Sequence, residues 1–147
     1  MRYSLPALAV ILFLSLPSPL DVSAQDQPPI IRTSHLDATA ISVGALKIKL
    51  TKFRGSFLKL GNGAVEVEVE NTSKGFANFN PQRLSFVGSD DRQVYVLAIQ
   101  SGDNYWPAVE REIAPGARMK EYYALSSQVK MAARVYYEGR QIAVISD

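Results

Sequence analysis

Cysteine is absent from the 147 residues of the chain. This absence excludes disulfide bonds, thiolate metal sites and the lipid-attached cysteine of a bacterial lipoprotein. Histidine occurs once, as His35, beside the polar, proline-bearing segment Gln25–Ser34. A nucleophile and its base must be held about 3 Å apart, and we expect that segment to be too irregular to hold them. We therefore predict no catalytic residue and no cofactor.

A large excess of either charge is also missing, since 16 basic residues accompany 14 acidic ones and the formal net charge is +2. Domains that bind nucleic acid usually carry a strongly basic face. The balance of charge therefore argues against a nucleic-acid partner.

Long apolar runs are missing as well, with one exception near the start. Leu5–Leu16 is apolar but shorter than the ~20 residues that a membrane-spanning helix needs. Arg2 precedes this run, and Val22-Ser23-Ala24 places small residues where signal-peptide cleavage requires them. We predict a signal peptide over residues 1–24 and export to the periplasm or the exterior of a bacterium; an uncleaved N-terminal anchor is the alternative.

The chain after the signal peptide has the length of a single domain. Residues 25–43 begin with polar residues and prolines, and we predict an extended tether that leads into the first strand. Residues 44–147 are predicted to form the folded domain.

Apolar and charged residues alternate from Val65 to Glu70. Successive side chains of a strand point to opposite faces, so this period of two indicates a half-buried strand. Leu46–Leu50 alternates in the same way, and further short runs are separated by turn residues such as Gly61–Gly63 and Glu138-Gly139. We predict an all-β, immunoglobulin-like antiparallel β-sandwich of about seven strands.

The same alternation predicts which side chains form the core. Inward positions recur at every second residue of each strand, and they are Leu46, Ile48, Leu50, Val65, Val67, Val69, Leu84, Phe86, Val94, Val96, Val129, Met131, Val135, Ile142 and Val144.

Outward positions carry a basic row, Lys47 and Lys49, and an acidic row, Glu66, Glu68 and Glu70. We expect the two rows to face each other across antiparallel strands, where opposite charges stabilise the sheet. The alternative is a basic stripe that contacts anionic glycans or lipid headgroups and also includes Lys52, Arg54 and Lys59.

The run Gln93–Ile99 is apolar on both faces, with Tyr95, Leu97 and Ile99 on the second. Because exposed apolar surface of this extent is usually covered, we expect the long loop Gln100–Pro115 to lie over it. Cover by a partner is the alternative.

The order of these pieces resembles the bacterial secreted immunoglobulin-like domains of unknown function, the telokin-like, secreted-antigen group. The resemblance spans roughly Ala45–Ser146 and depends on Val65–Asn71, Asn78–Pro81, Gly88–Asp91 and Ile113–Gly116. It implies an exported sandwich without established catalytic residues. The chain departs from antibody-type domains, because it lacks their cysteine pair and its single tryptophan falls in a predicted loop.

Aromatic residues in predicted loops are the candidates for a binding surface, because rings offer a large contact area at a low entropy cost. The doublets Tyr122-Tyr123 and Tyr136-Tyr137 each send one ring outward, and we expect these rings on neighbouring strands. The candidate binding residues are therefore Tyr105, Trp106, Phe76, Phe79, Tyr122 and Tyr136. The alternative for the loop aromatics is that they only cap the open end of the sandwich.

Metal-binding side chains lack the spacing of known sites, and we predict no metal site. His35, Met119 and Met131 are far apart in the sequence, and Met131 is expected to fill a gap in the core. Asp90 and Asp91, with Asp103 and Asn104, offer oxygen ligands on two turns but do not form a calcium loop. The Asp90-Asp91 pair is typical of a turn rather than of an acid–base pair.

These observations predict a non-enzymatic binding or accessory module. We expect it to contact another exported or envelope protein through loop aromatics and a strand edge. The alternative is a carrier or binding domain for a small ligand, either a carbohydrate or a metal ion.

Overall fold

The computed structural model of the protein describes residues 30–32, 36, 39–56 and 62–147. The predicted signal peptide, His35 and Lys59 lie outside these residues. The described residues form twelve strands, β1 (Ile30–Arg32), β2 (Ala40–Val43), β3 (Leu46–Arg54), β4 (Ala64–Asn71), β5 (Ala77–Phe79), β6 (Leu84–Val87), β7 (Gln93–Ser101), β8 (Asn104–Pro107), β9 (Arg111–Ile113), β10 (Arg118–Leu125), β11 (Ala133–Tyr137) and β12 (Arg140–Ser146). A short 3-10 helix, Pro81–Arg83, precedes β6. The all-β prediction is therefore confirmed, whereas the expected number of strands was too low.

The strands form two layers that share one strand. Layer A has the order β1-β12-β11-β6-β7, and layer B has the order β7-β10-β4-β3-β2. Neighbouring strands are antiparallel except β1 and β12, which run parallel. Strand β8 pairs with the second half of β7, and β5 pairs with β9 in a separate two-stranded ribbon. The two layers pack face to face, since Phe53 of layer B stacks on Phe86 of layer A with ring centroids 5.5 Å apart.

Strand β7 passes from one layer to the other at a bulge. Its first half pairs with β6, where Tyr95 opposes Ser85. Its second half pairs with β10, where Val96 opposes Leu125 and Ala98 opposes Ala124. Leu97 is therefore an extra residue in the ladder. An extra residue bends a strand and increases its twist, which is what the crossing between layers requires.

The core prediction is confirmed for nearly every residue, because all of the predicted inward positions are buried except Met131 and Val144. Met131 is half-buried and packs against the rim of the core. Val144 was assigned to the wrong face. The register of β12 against β11 shifts between Ala143 and Gln141, so Ile142 is an extra residue and the alternation inverts beyond it. Ala143 and Ile145 then take the inward positions, each with no exposed surface.

The described part of the predicted tether is built into the sandwich. Strand β1 adds to the edge of layer A beside β12 and buries Ile31 to 2% exposure. Strand β2 adds to the edge of layer B beside β3. The folded unit therefore includes strands that precede residue 44. Strands β1 and β2 have three and four residues, too few to show a period, and both are edge strands with largely exposed side chains.

The charged rows face each other on the outer face of layer B as predicted. Lys47 opposes Glu70, and Lys49 opposes Glu68. Ion pairs on this face join Glu66 Oε1 to Lys120 Nζ at 3.0 Å and Glu70 Oε2 to an Arg118 guanidinium nitrogen at 3.2 Å. A hydrogen bond from the Thr51 hydroxyl, 2.7 Å long, is the main cause that lowers the pKa of Glu66.

Asn71 ends β4 and joins it to the neighbouring loops. Its side-chain amide donates to the carbonyl oxygens of Ile113 at 2.9 Å and Gly75 at 2.7 Å. Its side-chain oxygen accepts from the backbone and the hydroxyl of Ser73. Asn71 is fully buried, so these bonds satisfy a polar group that has left water.

Candidate functional site

Strands β7 and β8 form a hairpin at one edge of layer B. Trp106 opposes Ile99, and Tyr105 opposes Gln100. The turn between the strands contains Gly102 at a φ of 60°, a backbone conformation that glycine adopts without strain. The expected cover, loop 100–115, therefore contains β8 and β9. Because β8 lies beside β7 rather than over it, the outer face of β7 stays open.

The expectation that this loop covers the second face of β7 was wrong. Tyr95 is 48% exposed and Leu97 is 59% exposed. Ile99, which the alternation placed on the same face, packs against the core instead. The extra residue Leu97 shifts the alternation of β7 by one position. Ile99 therefore points inward, as does Tyr123, the residue of β10 that it opposes.

Four large apolar side chains that are partly exposed lie on this hairpin or directly after it. We call Leu97, Tyr105, Trp106 and Val109 the hairpin patch; their exposed fractions are 59%, 41%, 60% and 48%. Successive residues of a strand face opposite sides, so Tyr105 and Trp106 lie on the two faces of the ribbon. Ala108, between Pro107 and Val109, is buried and anchors the end of β8 in the core.

The outer edge of β8 is open, since β7 is its one partner among the described strands. All four residues of β8 are exposed. An open edge presents backbone N–H and C=O groups that can pair with another chain. In an antiparallel pair only every second residue turns its backbone N–H and C=O groups away from the partner strand, and Pro107 has no N–H group to offer, so the open edge presents few donors.

Phe79 and Phe76, the other two loop candidates, are not part of the hairpin patch. Phe79 has no exposed surface and stacks on Tyr137 with ring centroids 5.4 Å apart. Phe79 is therefore a core residue on β5 and offers no surface to a partner. Phe76 is 68% exposed and borders a cavity of about 330 Å³ that Val43 and Leu46 also line.

Tyr122 and Tyr136 both point outward, but the expectation that they lie on neighbouring strands was wrong. Tyr122 is on β10 in layer B, opposite Glu66, and Tyr136 is on β11 in layer A. The chain crosses between the layers between β10 and β11, so the two rings belong to opposite faces of the molecule. The Tyr136 hydroxyl donates to Gln141 Oε1 at 3.2 Å.

The two aspartates between β6 and β7 form a turn. The backbone N–H of Asp91 donates to the Gly88 carbonyl at 3.0 Å, and Asp91 has a φ of 59°. The Asp91 carboxylate binds the guanidinium group of Arg134. Among the described residues, no group of three or more histidine, cysteine, aspartate or glutamate side chains is close enough to share a metal ion.

An inward-facing glutamate was missed by the sequence analysis. Glu121 opposes Val67 on the core side of β10. Its carboxylate accepts from Arg111 Nε at 3.1 Å and from the Tyr123 hydroxyl at 2.6 Å, and its side chain is 20% exposed. The signal was present in the sequence, because alternation from Met119 to Leu125 places Glu121 in phase with core residues. These hydrogen bonds satisfy a carboxylate that the fold holds largely out of water.

Alkaline pH is expected to destabilise the protein through Tyr123. Burial, reinforced by the hydrogen bond to Glu121, raises the pKa of Tyr123, and burial raises that of Tyr137. The unfolded chain, in which tyrosine ionises near pH 10, then releases these protons more readily than the folded protein. The stabilisation is complete below about pH 10 and is lost as the pH rises from there through the folded-state pKa.

Urea unfolding at a series of alkaline pH values, with tyrosinate absorbance recorded in parallel, measures this loss. The Tyr123→Phe variant should show a shallower decline of the unfolding free energy. An equal decline in both proteins would contradict the assignment.

No known protein family matches the sequence, and no curated protein matches it. The described residues contain no helix with the length and hydrophobicity of a bilayer-spanning segment.

Two solved structures share the fold at 10% sequence identity and a TM-score of 0.50 each. The yjhA protein from Bacillus subtilis aligns over 74% of this chain and 80% of its own. An uncharacterized beta-sandwich protein from Clostridium difficile 630 aligns over 81% of this chain and 95% of its own. At this identity the likeness shows the fold alone, and that fold is a β-sandwich.

Proposed function

We propose that the protein is a non-enzymatic binding module that contacts another exported or envelope protein of a bacterium through the β7–β8 hairpin. The observation that carries this proposal is the hairpin patch beside an open strand edge. Aromatic side chains that are exposed in the free protein and rigidly placed on strands are typical anchors of protein interfaces. The open edge adds backbone hydrogen-bonding groups to the same surface.

Export is part of this proposal and rests on the N-terminal sequence pattern. The arrangement of charged and small residues around the apolar run predicts a cleaved signal peptide. Periplasmic or extracellular location follows from that prediction, and so does the choice of an exported partner.

We further infer that the sandwich is immunoglobulin-like and related to the bacterial secreted domains of the telokin-like, secreted-antigen group. Several pieces of that resemblance coincide with structural elements. Asn71 ends β4, and the side-chain oxygen of Asn80 caps the 3-10 helix by accepting from Gln82 N at 3.0 Å. Gly116, in the Ala-Pro-Gly turn before β10, has a φ of 71°.

Site-specific crosslinking tests the proposed interface. A photoreactive amino acid at position 106, in intact cells of the organism that produces the chain, should capture one discrete partner protein. The matched control is the same amino acid at position 76, because Phe76 is also aromatic and is 68% exposed against 60% for Trp106. Identical products from both positions, or self-crosslinks alone, would overturn the proposal.

The partner recovered in this way allows an affinity comparison. Trp106→Ser should weaken binding by about 2 kcal/mol or more, roughly a 30-fold rise in Kd, as expected for an aromatic anchor. Phe76→Ser should leave the Kd within about twofold.

A further inference from the structure

A second depression lies on the outer face of layer A, apart from the hairpin patch. It has a volume of about 370 Å³ and is formed where β6, β7 and the turn between β11 and β12 meet. We call it the Tyr95 groove; its lining includes Gln82, Arg83, Ser85, Gln93, Tyr95 and Glu138. Its volume lies near the lower end of the range for small-ligand sites, about 300–1,000 Å³, which suits a ligand of one or two rings.

Neutral hydrogen-bonding groups line the floor and one wall of the groove. Ser85 opposes Tyr95 across the strands, and Gln93 lies two residues before Tyr95, so all three point to the same face. In the part of the chain that the structure describes, the side chains of Ser85, Gln93 and Gln82 make no hydrogen bond to protein. These amides and this hydroxyl can donate and accept toward a ligand without breaking an existing bond.

The charges of the groove cancel. Arg83 and Glu138 are its two charged lining residues, and a guanidinium nitrogen lies 3.0 Å from Glu138 Oε1. Both side chains are about half exposed, so water screens their attraction and the pair contributes little to stability. An anionic ligand would meet the Glu138 carboxylate, and a cationic ligand would meet Arg83. The lining therefore favours a neutral polar ligand.

An aromatic ring completes the lining. Tyr95 is 48% exposed and forms one side of the groove. A pyranose ring has an apolar C–H face and a rim of hydroxyl groups. The face can pack on an aromatic ring, and the rim can pair with amides and hydroxyls. We propose that the Tyr95 groove binds one hexopyranose unit of a neutral glycan, with the sugar face on Tyr95 and the sugar hydroxyls on Ser85 and the two glutamines.

Amide chemical shifts of the protein, expressed from the full 147-residue chain, test this proposal. The probes are three neutral glycans (maltohexaose, cellohexaose and the N-acetylglucosamine hexamer) and one acidic glycan, oligogalacturonate. At least one neutral glycan should cause saturable shifts centred on Ser85, Gln93 and Tyr95. If none of the three neutral glycans changes the amide chemical shifts, or if oligogalacturonate alone changes them, the proposal is overturned.

Matched variants separate this site from the hairpin patch. Tyr95→Ala should raise the Kd for the bound glycan about tenfold, since it removes the stacking surface. Tyr105→Ala is the control, because Tyr105 is 41% exposed but lies on β8 outside the groove. Gln93→Ala, at an exposed position, should weaken glycan binding as well. This variant replaces Tyr95→Ala in the comparison if Tyr95→Ala fails to fold. Equal losses for Tyr95→Ala and Tyr105→Ala would place the glycan elsewhere and contradict the proposal.

Discussion

Val67→Asp should abolish the folded protein. Val67 has no exposed surface and lies on β4, the strand of layer B that pairs with both β3 and β10. Burying an unpaired carboxylate there costs several kcal/mol even if the group takes up a proton. Natural domains are stable by about 5–15 kcal/mol in total, so this one change removes most of that margin. We expect no cooperative unfolding transition and no dispersed amide spectrum.

Glu68→Gln is the matched control for Val67→Asp. Residue 68 is the next position on the same strand and faces outward, opposite Lys49 and Lys120. Removing its charge should change the unfolding free energy by about 0.5 kcal/mol or less, as is usual for exposed pairs. A folded Val67→Asp protein with near-normal stability would show that the assigned faces of β4 are wrong.

Gly55→Ala is expected to have the second largest effect. A Cβ atom on Gly55 would lie 2.4 Å from the carbonyl oxygen of Val129, which is backbone and cannot rotate away. The Gly55 carbonyl also accepts a 2.8 Å hydrogen bond from the Val129 N–H, so any shift strains that bond. Overpacking of this kind costs about 1–3 kcal/mol. Denaturant titration should show the midpoint falling accordingly.

Gly75→Ala is the control for the glycine substitution. A Cβ atom on Gly75 would meet nothing within 4 Å, and neither glycine has a positive φ. This variant should match the parent within about 0.5 kcal/mol. Equal stabilities of the two alanine variants would mean that the close approach of Gly55 to Val129 is absent in solution.

The faces of β4 and of Leu46–Leu50 in β3 were predictable, because the alternation there is regular and the signal lies within a few residues. The same rule failed beyond Leu97 and beyond Ile142, where one extra residue in a strand inverts the phase. A bulge is set by the pairing with a neighbouring strand, β10 for Leu97 and β11 for Ile142, so the alternation within the strand does not reveal it. Strands β5 and β9 have three residues each, too few to show a period.

The candidate site was predictable in part for the same reasons. Tyr105 and Trp106 were expected at the surface, and they are exposed. Leu97 was expected to be covered, because exposed apolar surface of that extent usually is, whereas β8 extends the sheet beside β7. Phe79 was expected to be accessible, but pairing of β5 with β9 turns it into the core. That pairing joins segments far apart in sequence and has no local signature.

The parallel pairing of β1 with β12 has a consequence during protein synthesis. Ile30–Arg32 is synthesised before its partner Val144–Ser146, and the whole sequence between them is translated first. Until β12 has been synthesised, the Ile31 side chain, which is buried in the folded protein, remains exposed and chaperones can bind it. Contacts between such distant segments also make folding slow, on a scale of milliseconds to seconds for all-β domains. The newly made chain therefore spends an appreciable time without its completed edge.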